Sequence, residues 1–140
     1  MIVLDASLVI AWLFGRVGSQ ASPHLEELLV DVSIVVPSHW PLEIANFVTS
    51  GLRRGSLTVD HVHFMLSKLD RLDIGIEPTM DLDTIGPVAA FAAHHELTSC
   101  EAAYVKLAMQ REAALGTLDS AMRRAAQRLN IPLIPAWTCA

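Results

Sequence analysis

Cysteine is scarce in this chain. Two thiols, Cys100 and Cys139, in 140 residues cannot form the disulfide framework of a small secreted scaffold, and they read as reduced thiols in a cytosolic protein. Basic residues are also few. Ten Lys plus Arg, with Lys68 and Lys106 as the only lysines, face fifteen acids and leave a net charge of −5 at pH 7. That balance excludes a chain that grips nucleic acid across a broad basic surface, so any phosphate backbone must be handled locally. Long apolar runs are missing as well: mean hydropathy is high at +0.41, yet no run approaches the roughly eighteen residues a membrane helix needs. The start, Met1-Ile-Val-Leu-Asp5, lacks a basic n-region and reaches an acid at once, so a secretory signal is not expected and the cytoplasm is. Repeats, low-complexity tracts and linkers are absent too.

What remains is 52% hydrophobic over 140 residues, enough for one core and too little for two, so residues 1–140 read as a single domain. Short runs that are apolar on both faces mark strands at Ile2 to Leu4, Ser33 to Val36, Asp73 to Ile76, Ala113 to Thr117 and Pro132 to Ile134. Such runs suit a covered parallel sheet. Helices are expected at Ala6 to Phe14, Ser22 to Val30, Ser38 or Trp40 to Arg54, Thr58 to Leu72, Asp81 to His95, Thr98 to Arg111 and Asp119 to Leu129. In the fourth of these, Val59, Val62, Leu66 and Leu69 share one face. Gly15 to Ser22 and Gly75 to Asp83 read as loops. The βα alternation predicts an α/β fold, a three-layer α/β/α sandwich around a mostly parallel sheet.

Ligands of such sheets collect beyond the carboxyl ends of the strands, which draws attention to the acids there. Asp5 ends the first strand and Asp119 follows the fourth, each ahead of small residues that open a helix; both also suit a helix N-cap. Glu43 stands between Leu42 and Ile44 at the border of an apolar stripe, where an acid is costly unless paired, and Asn46 lies on its side of the helix. Glu101 sits in Thr98-Ser99-Cys100-Glu101, a capping box in which it reaches back to Thr98. If the four acids converge, their mutual repulsion demands a cation. All-oxygen donors favour Mg²⁺ or Mn²⁺, ions that activate water against a phosphodiester.

The motifs Val3-Leu4-Asp5-Ala6-Ser7, Leu42-Glu43-Ile44-Ala45-Asn46, Glu101-Ala102-Ala103-Tyr104 and Thr117-Leu118-Asp119 together resemble those of a PIN domain, specifically the ribonuclease toxins of VapBC-type toxin–antitoxin pairs. The resemblance spans essentially the whole chain. It implies that Asp5, Glu43, Glu101 and Asp119 hold one or two Mg²⁺ or Mn²⁺ and that Ser7, Asn46 and Thr117 support them. It also implies an endoribonuclease silenced by a cognate VapB-like antitoxin and assembled as a homodimer. Glu101 departs from the family's usual Asp by one methylene, which leaves metal number, rate and preferred ion open. An amphipathic antitoxin helix would need a groove among Trp12, Leu13, Phe14, Leu28 and Leu29; the alternative is that these residues form core.

Other features rank lower. Arg53, Arg54, Arg123, Arg124 and Arg128 offer either a solvated face near helix ends or a small basic rim for RNA. His94-His95-Glu96 and His61-x-His63 lack a third ligand at recognisable spacing, which argues against zinc. Cys100 reads as a small buried residue, and Trp40, Trp137 and Tyr104 read as packing aromatics. A phosphoacceptor receiver would need an acid pair after the first strand and a late Lys, and a haloacid-dehalogenase-like phosphatase would need Asp-x-Asp; Asp5-Ala6-Ser7 fits neither. The rival reading is a PIN fold kept as a protein-binding module with weak or no catalysis.

Overall fold

The computed structural model describes residues 1–15, 22–78 and 80–136; Trp137, Cys139 and most of the expected first loop lie outside these. Five strands, β1 (Ile2–Leu4), β2 (Ser33–Pro37), β3 (Asp73–Glu77), β4 (Ala114–Gly116) and β5 (Leu133–Ile134), form one sheet in the order β3-β2-β1-β4-β5. Every pairing is parallel, with Ile2 opposite Ile34 on one side of β1 and Ala114 on the other. The helices are α1 (Ala6–Leu13), α2 (Ser22–Val30), α3 (Trp40–Arg54), α4 (Val59–Leu69), α5 (Ile85–His95), α6 (Ser99–Arg111) and α7 (Ser120–Arg128). A short 3-10 turn, Leu82–Thr84, precedes α5. The result is the expected three-layer α/β/α sandwich, with the sheet wholly parallel among the described residues.

Val3, Leu4, Val36 and Leu115, at the sheet centre, are buried with Leu8 and Val9 of α1 and Tyr104 and Val105 of α6. Helix α6 lies on β1, β2 and β4 and packs against α5 and α7, whereas α1 packs against α2 and α3. At Gly116 a Cβ would come within 3.1 Å of Leu8 Cδ2 and 3.2 Å of Leu4 Cδ1, so a glycine lets β4 sit close to α1. Helix α3 ends at Gly55, whose φ of 73° is the left-handed cap that glycine adopts without strain.

Two sequence expectations need correction. Gly75 and Ile76, expected both as the end of a strand and as the start of a loop, belong to β3, which runs on to Glu77, because pairing with Val35 to Pro37 of β2 uses backbone groups that glycine supplies as well as any residue. In α4 the expected face does not all go inward. Met65 is buried and Val62 and Leu69 pack on the core, while Val59 and Leu66 are exposed, because α4 precedes an edge strand whose own residues are largely uncovered. No described helix is long and apolar enough to cross a membrane.

Candidate functional site

The strand order reverses between β1, which leads outward to β2, and β4, which leads outward to β5. Loops leaving two adjacent strands in opposite directions open a crevice at that point. Asp5 lies at the end of β1, with its N–H bonded to the Gly116 carbonyl at 2.8 Å, and Thr117 and Asp119 follow β4 directly.

Among the described residues, the buried polar or charged side chains are Asp5, Thr117 and Arg123, and all three belong to one network here. Asp5 is only 5% exposed. Its Oδ2 accepts hydrogen bonds from the hydroxyls of Ser7 (2.5 Å) and Thr117 (2.8 Å), and it caps no helix amide through its side chain. Asp5 thus holds the N-cap position of α1, as expected, but its side chain is spent chiefly on the two hydroxyls. Burial pushes the Asp5 carboxyl above its ordinary value of 3.8; the two hydroxyls pull against that shift, and the negative charge of Glu43 adds to it. This is a carboxylate held where its charge is disfavoured.

Thr117 also accepts from the Asp119 N–H at 3.0 Å, and the Ser7 hydroxyl accepts from the Leu118 N–H at 3.3 Å. Two hydroxyls thus tie the two strand ends together. Below them, Arg123 donates to the carbonyls of Thr117 (2.9 Å) and Pro135 (2.7 Å). Sequence reasoning put Arg123 on a solvated face or a basic rim; it is instead a buried brace, because α7 turns this residue toward the open carbonyls after β4.

The expected capping roles of the other two acids are present. Thr98 N donates to Glu101 Oε2 (2.9 Å) while Glu101 N donates to Thr98 Oγ1 (3.2 Å). Asp119 Oδ1 accepts from Met122 N at 2.8 Å. The capping box gives Glu101 a structural role in addition to any role at the cleft. Each of these acids keeps a second oxygen outside its cap.

Glu43 is half-buried between two partners. The Tyr104 hydroxyl donates to its Oε2 at 3.2 Å, and His39 Nε2 lies 3.1 Å from its Oε1 without the alignment of a hydrogen bond. The His39 ring meets Tyr104 edge-on at 5.1 Å. Burial first, then the charges of Glu43 and Asp5, keep the Tyr104 phenol protonated well above its ordinary value of 10. Tyr104 packs in the core as expected, and its hydroxyl positions Glu43. Sequence reasoning missed His39 altogether; its signal was the four-residue spacing to Glu43 on one helix face.

A cleft of about 360 Å³ is lined by Asp5, Ser7, Glu43, Cys100, Glu101, Tyr104 and Asp119 among others. All four acids thus border one cavity. Asn46 does not line it and is exposed on α3. Cys100, expected to be buried, is exposed, because it falls in the first turn of α6 on the side that faces the cleft instead of the sheet. A larger cleft of about 500 Å³ lies among Phe14, Phe47, Arg54, Leu57 and His61, with no buried polar side chain on its walls. Of the residues expected to form a groove, Trp12, Leu13 and Leu29 are core, Phe14 borders this larger cleft and Leu28 is exposed.

The donor set fits a hard dication. Its oxygens come from four carboxylates, and a cation would relieve the unfavourable charge on Asp5. Among the described residues, no three carboxylates bring their oxygens within 4.8 Å of one another. An ion here would therefore be gripped directly by only one or two of the carboxylates and would keep several waters.

No family model matches this sequence, and no curated protein matches it. Solved structures do. PAE2754 from Pyrobaculum aerophilum is 17% identical with a TM-score of 0.64, over 89% of this chain and 83% of that one. FitAcB from Neisseria gonorrhoeae is 18% identical with a TM-score of 0.62, over 99% of this chain and 100% of that one. At such low identity the likeness concerns the path of the backbone, and it supports a PIN-like three-layer fold for this chain.

Proposed function

We propose that this protein is a metal-dependent endoribonuclease, a toxin of the VapC kind held silent by a VapB-like antitoxin. The observation that carries the reading is Asp5: a buried carboxylate at the strand-order reversal that is bound by two hydroxyls and shares a cleft with three further acids. An ionised group buried there is costly to the fold, which favours a binding role for it over a structural one.

Asp5, Glu43, Glu101 and Asp119 would hold Mg²⁺ or Mn²⁺. Such an ion supplies Lewis acidity toward a phosphodiester and its attacking water. The chain's own residues prepare the place. Ser7 and Thr117 fix Asp5 so that its other oxygen is directed away from them, Tyr104 orients Glu43, and Arg123 braces the carbonyl of Thr117. RNA is the proposed substrate, met at this cleft with few basic contacts and read by its shape and exposed bases. A homodimer and an antitoxin helix seated on exposed apolar surface are part of the same proposal, and the exposed Leu52, Val59, Phe64 and Leu66 of α3 and α4 provide such surface.

The test is cleavage of structured RNA by the purified chain. Cleavage should require Mg²⁺ or Mn²⁺ and be lost in both Asp5→Asn and Asp119→Asn; undiminished cleavage by both variants discards the site. Glu101→Asp keeps a carboxylate at the helix start while moving its oxygens back by one methylene, so a gain in cleavage rate would identify Glu101 as a detuned ligand. The rival, a binding module without catalysis, predicts antitoxin binding with no metal-dependent RNA cleavage in the wild type.

A further inference from the structure

Among the described residues, three metal-ligating atoms of different kinds come within 4.8 Å of one another at one place: His39, Glu43 and Cys100. From this juxtaposition of imidazole, carboxylate and thiol at the rim of the acidic cleft, we propose a second, softer metal site that takes Zn²⁺.

Sulfur and imidazole nitrogen are ligands that Mg²⁺ and Mn²⁺ do not seek and Zn²⁺ does. The three side chains come from two elements whose packing fixes their approach. His39 and Glu43 stand four residues apart across the start of α3, their ligand atoms already 3.1 Å apart. Cys100 projects from the first turn of α6, and α6 is held to α3 by the bond from Tyr104 to Glu43. A tetrahedral zinc ion, about 2.0–2.3 Å from each donor, needs donors about 3.3–3.7 Å apart. At 3.1 Å the His39–Glu43 pair is a few tenths of an ångström tighter than that spacing and needs only a small separation, and the exposed Cys100 has rotamer freedom to close the remainder.

A second observation points to a ligand. His39 Nε2 is buried from solvent yet makes no hydrogen bond, so it faces Glu43 and the thiol with no competing partner to give up. Binding releases one proton to solvent, from the Cys100 thiol, and leaves the fourth position to water or to a donor from a partner. Because Glu43 belongs to both donor sets, zinc draws it away from the hard-ion cleft, so occupancy of the soft site opposes occupancy of the other. That last consequence rests on the nuclease reading; zinc binding itself does not.

The test uses the full-length reduced chain, freed of metal and titrated with Co²⁺ as a spectroscopic probe, followed by Zn²⁺. A thiolate-to-cobalt charge-transfer band should grow to one equivalent and be bleached by Zn²⁺. It should vanish in Cys100→Ser, a change at an exposed position, and need at least about tenfold more metal in His39→Gln. Asp5→Asn and Asp119→Asn, which disable only the hard-ion site, should keep the band. A band that survives Cys100→Ser comes from Cys139 and overturns the proposal, as does a titration unchanged by His39→Gln. In the cleavage assay, the Zn²⁺ concentration that halves Mg²⁺-dependent activity should rise at least about tenfold in Cys100→Ser. A wild type that shows the band but no cleavage sinks the nuclease reading and leaves the zinc site standing.

Discussion

Replacing Asp5 by Asn exchanges a buried charge for a neutral group of the same shape, and the structure says which way stability moves. The carboxylate accepts two hydroxyl hydrogen bonds. Bonds to a charged partner contribute about 1.5–3 kcal/mol each and neutral ones about 0.5–1.5, so Asn forfeits about 2–3 kcal/mol. Against this stands the penalty of holding an ion out of water, several kcal/mol, together with repulsion from Glu43. Burial is the largest influence on the Asp5 carboxyl and holds it above its ordinary value, the direction expected when the penalty exceeds the bonds. Asp5→Asn should therefore be more stable than the wild type at neutral pH without metal, by about 1 kcal/mol, or about 3–5 °C in Tm for a chain of this length. The pH dependence has a definite sign. A carboxyl whose folded value lies above its unfolded one favours folding while protonated, and that contribution is lost as pH rises through the folded value. The gap between variant and wild type should close as pH falls toward the ordinary 3.8. Divalent metal should reverse the order: at a hundredfold excess over Kd, Mn²⁺ adds about 2.7 kcal/mol to a protein that binds it and little to the variant. Thermal melts in a chelator and in Mn²⁺, at pH 4 and pH 7, read all of this. A variant that melts lower than the wild type in chelator at pH 7, or gains as much from Mn²⁺, refutes the reasoning.

Tyr104→Phe keeps the buried ring and removes the hydroxyl that holds Glu43; it should cost about 1 kcal/mol by denaturant titration and weaken divalent-ion binding about 10-fold or more. Arg123→Ala strips the donors from the Thr117 and Pro135 carbonyls and should cost about 2–4 kcal/mol in the same measurement, far more than the near-neutral change expected at the exposed Arg124. Thr98→Ala removes the α6 cap, at about 1 kcal/mol.

The architecture was legible because its signals are local: apolar runs of three to five residues for the strands, Thr98 and Asp119 for helix starts, and Gly55 for a helix end. Edge effects were not legible. Whether Glu77 pairs, or whether Val59 is covered, depends on which strand lies outermost, and strand order is a long-range property. At the site, the acids stood out because carboxylates at strand ends and beside apolar stripes are conspicuous. His39 and the buried role of Arg123 did not, since their meaning lies in partners 4 and 12 residues away whose direction only packing decides. Cys100 misled because cysteine is usually buried, and which side of α6 meets the sheet cannot be told when its apolar residues are spread almost all round the helix.

Glu101 and Asp119 each spend one oxygen on the opening turn of a helix. The first turns of α6 and α7 thus share hydrogen-bonding groups with the walls of the cleft. Fraying that releases the Thr98 or Met122 amide also releases a carboxylate, so hydrogen exchange at those two amides reports how often the cleft comes apart. Anything that bridges the free oxygens should slow exchange at both together.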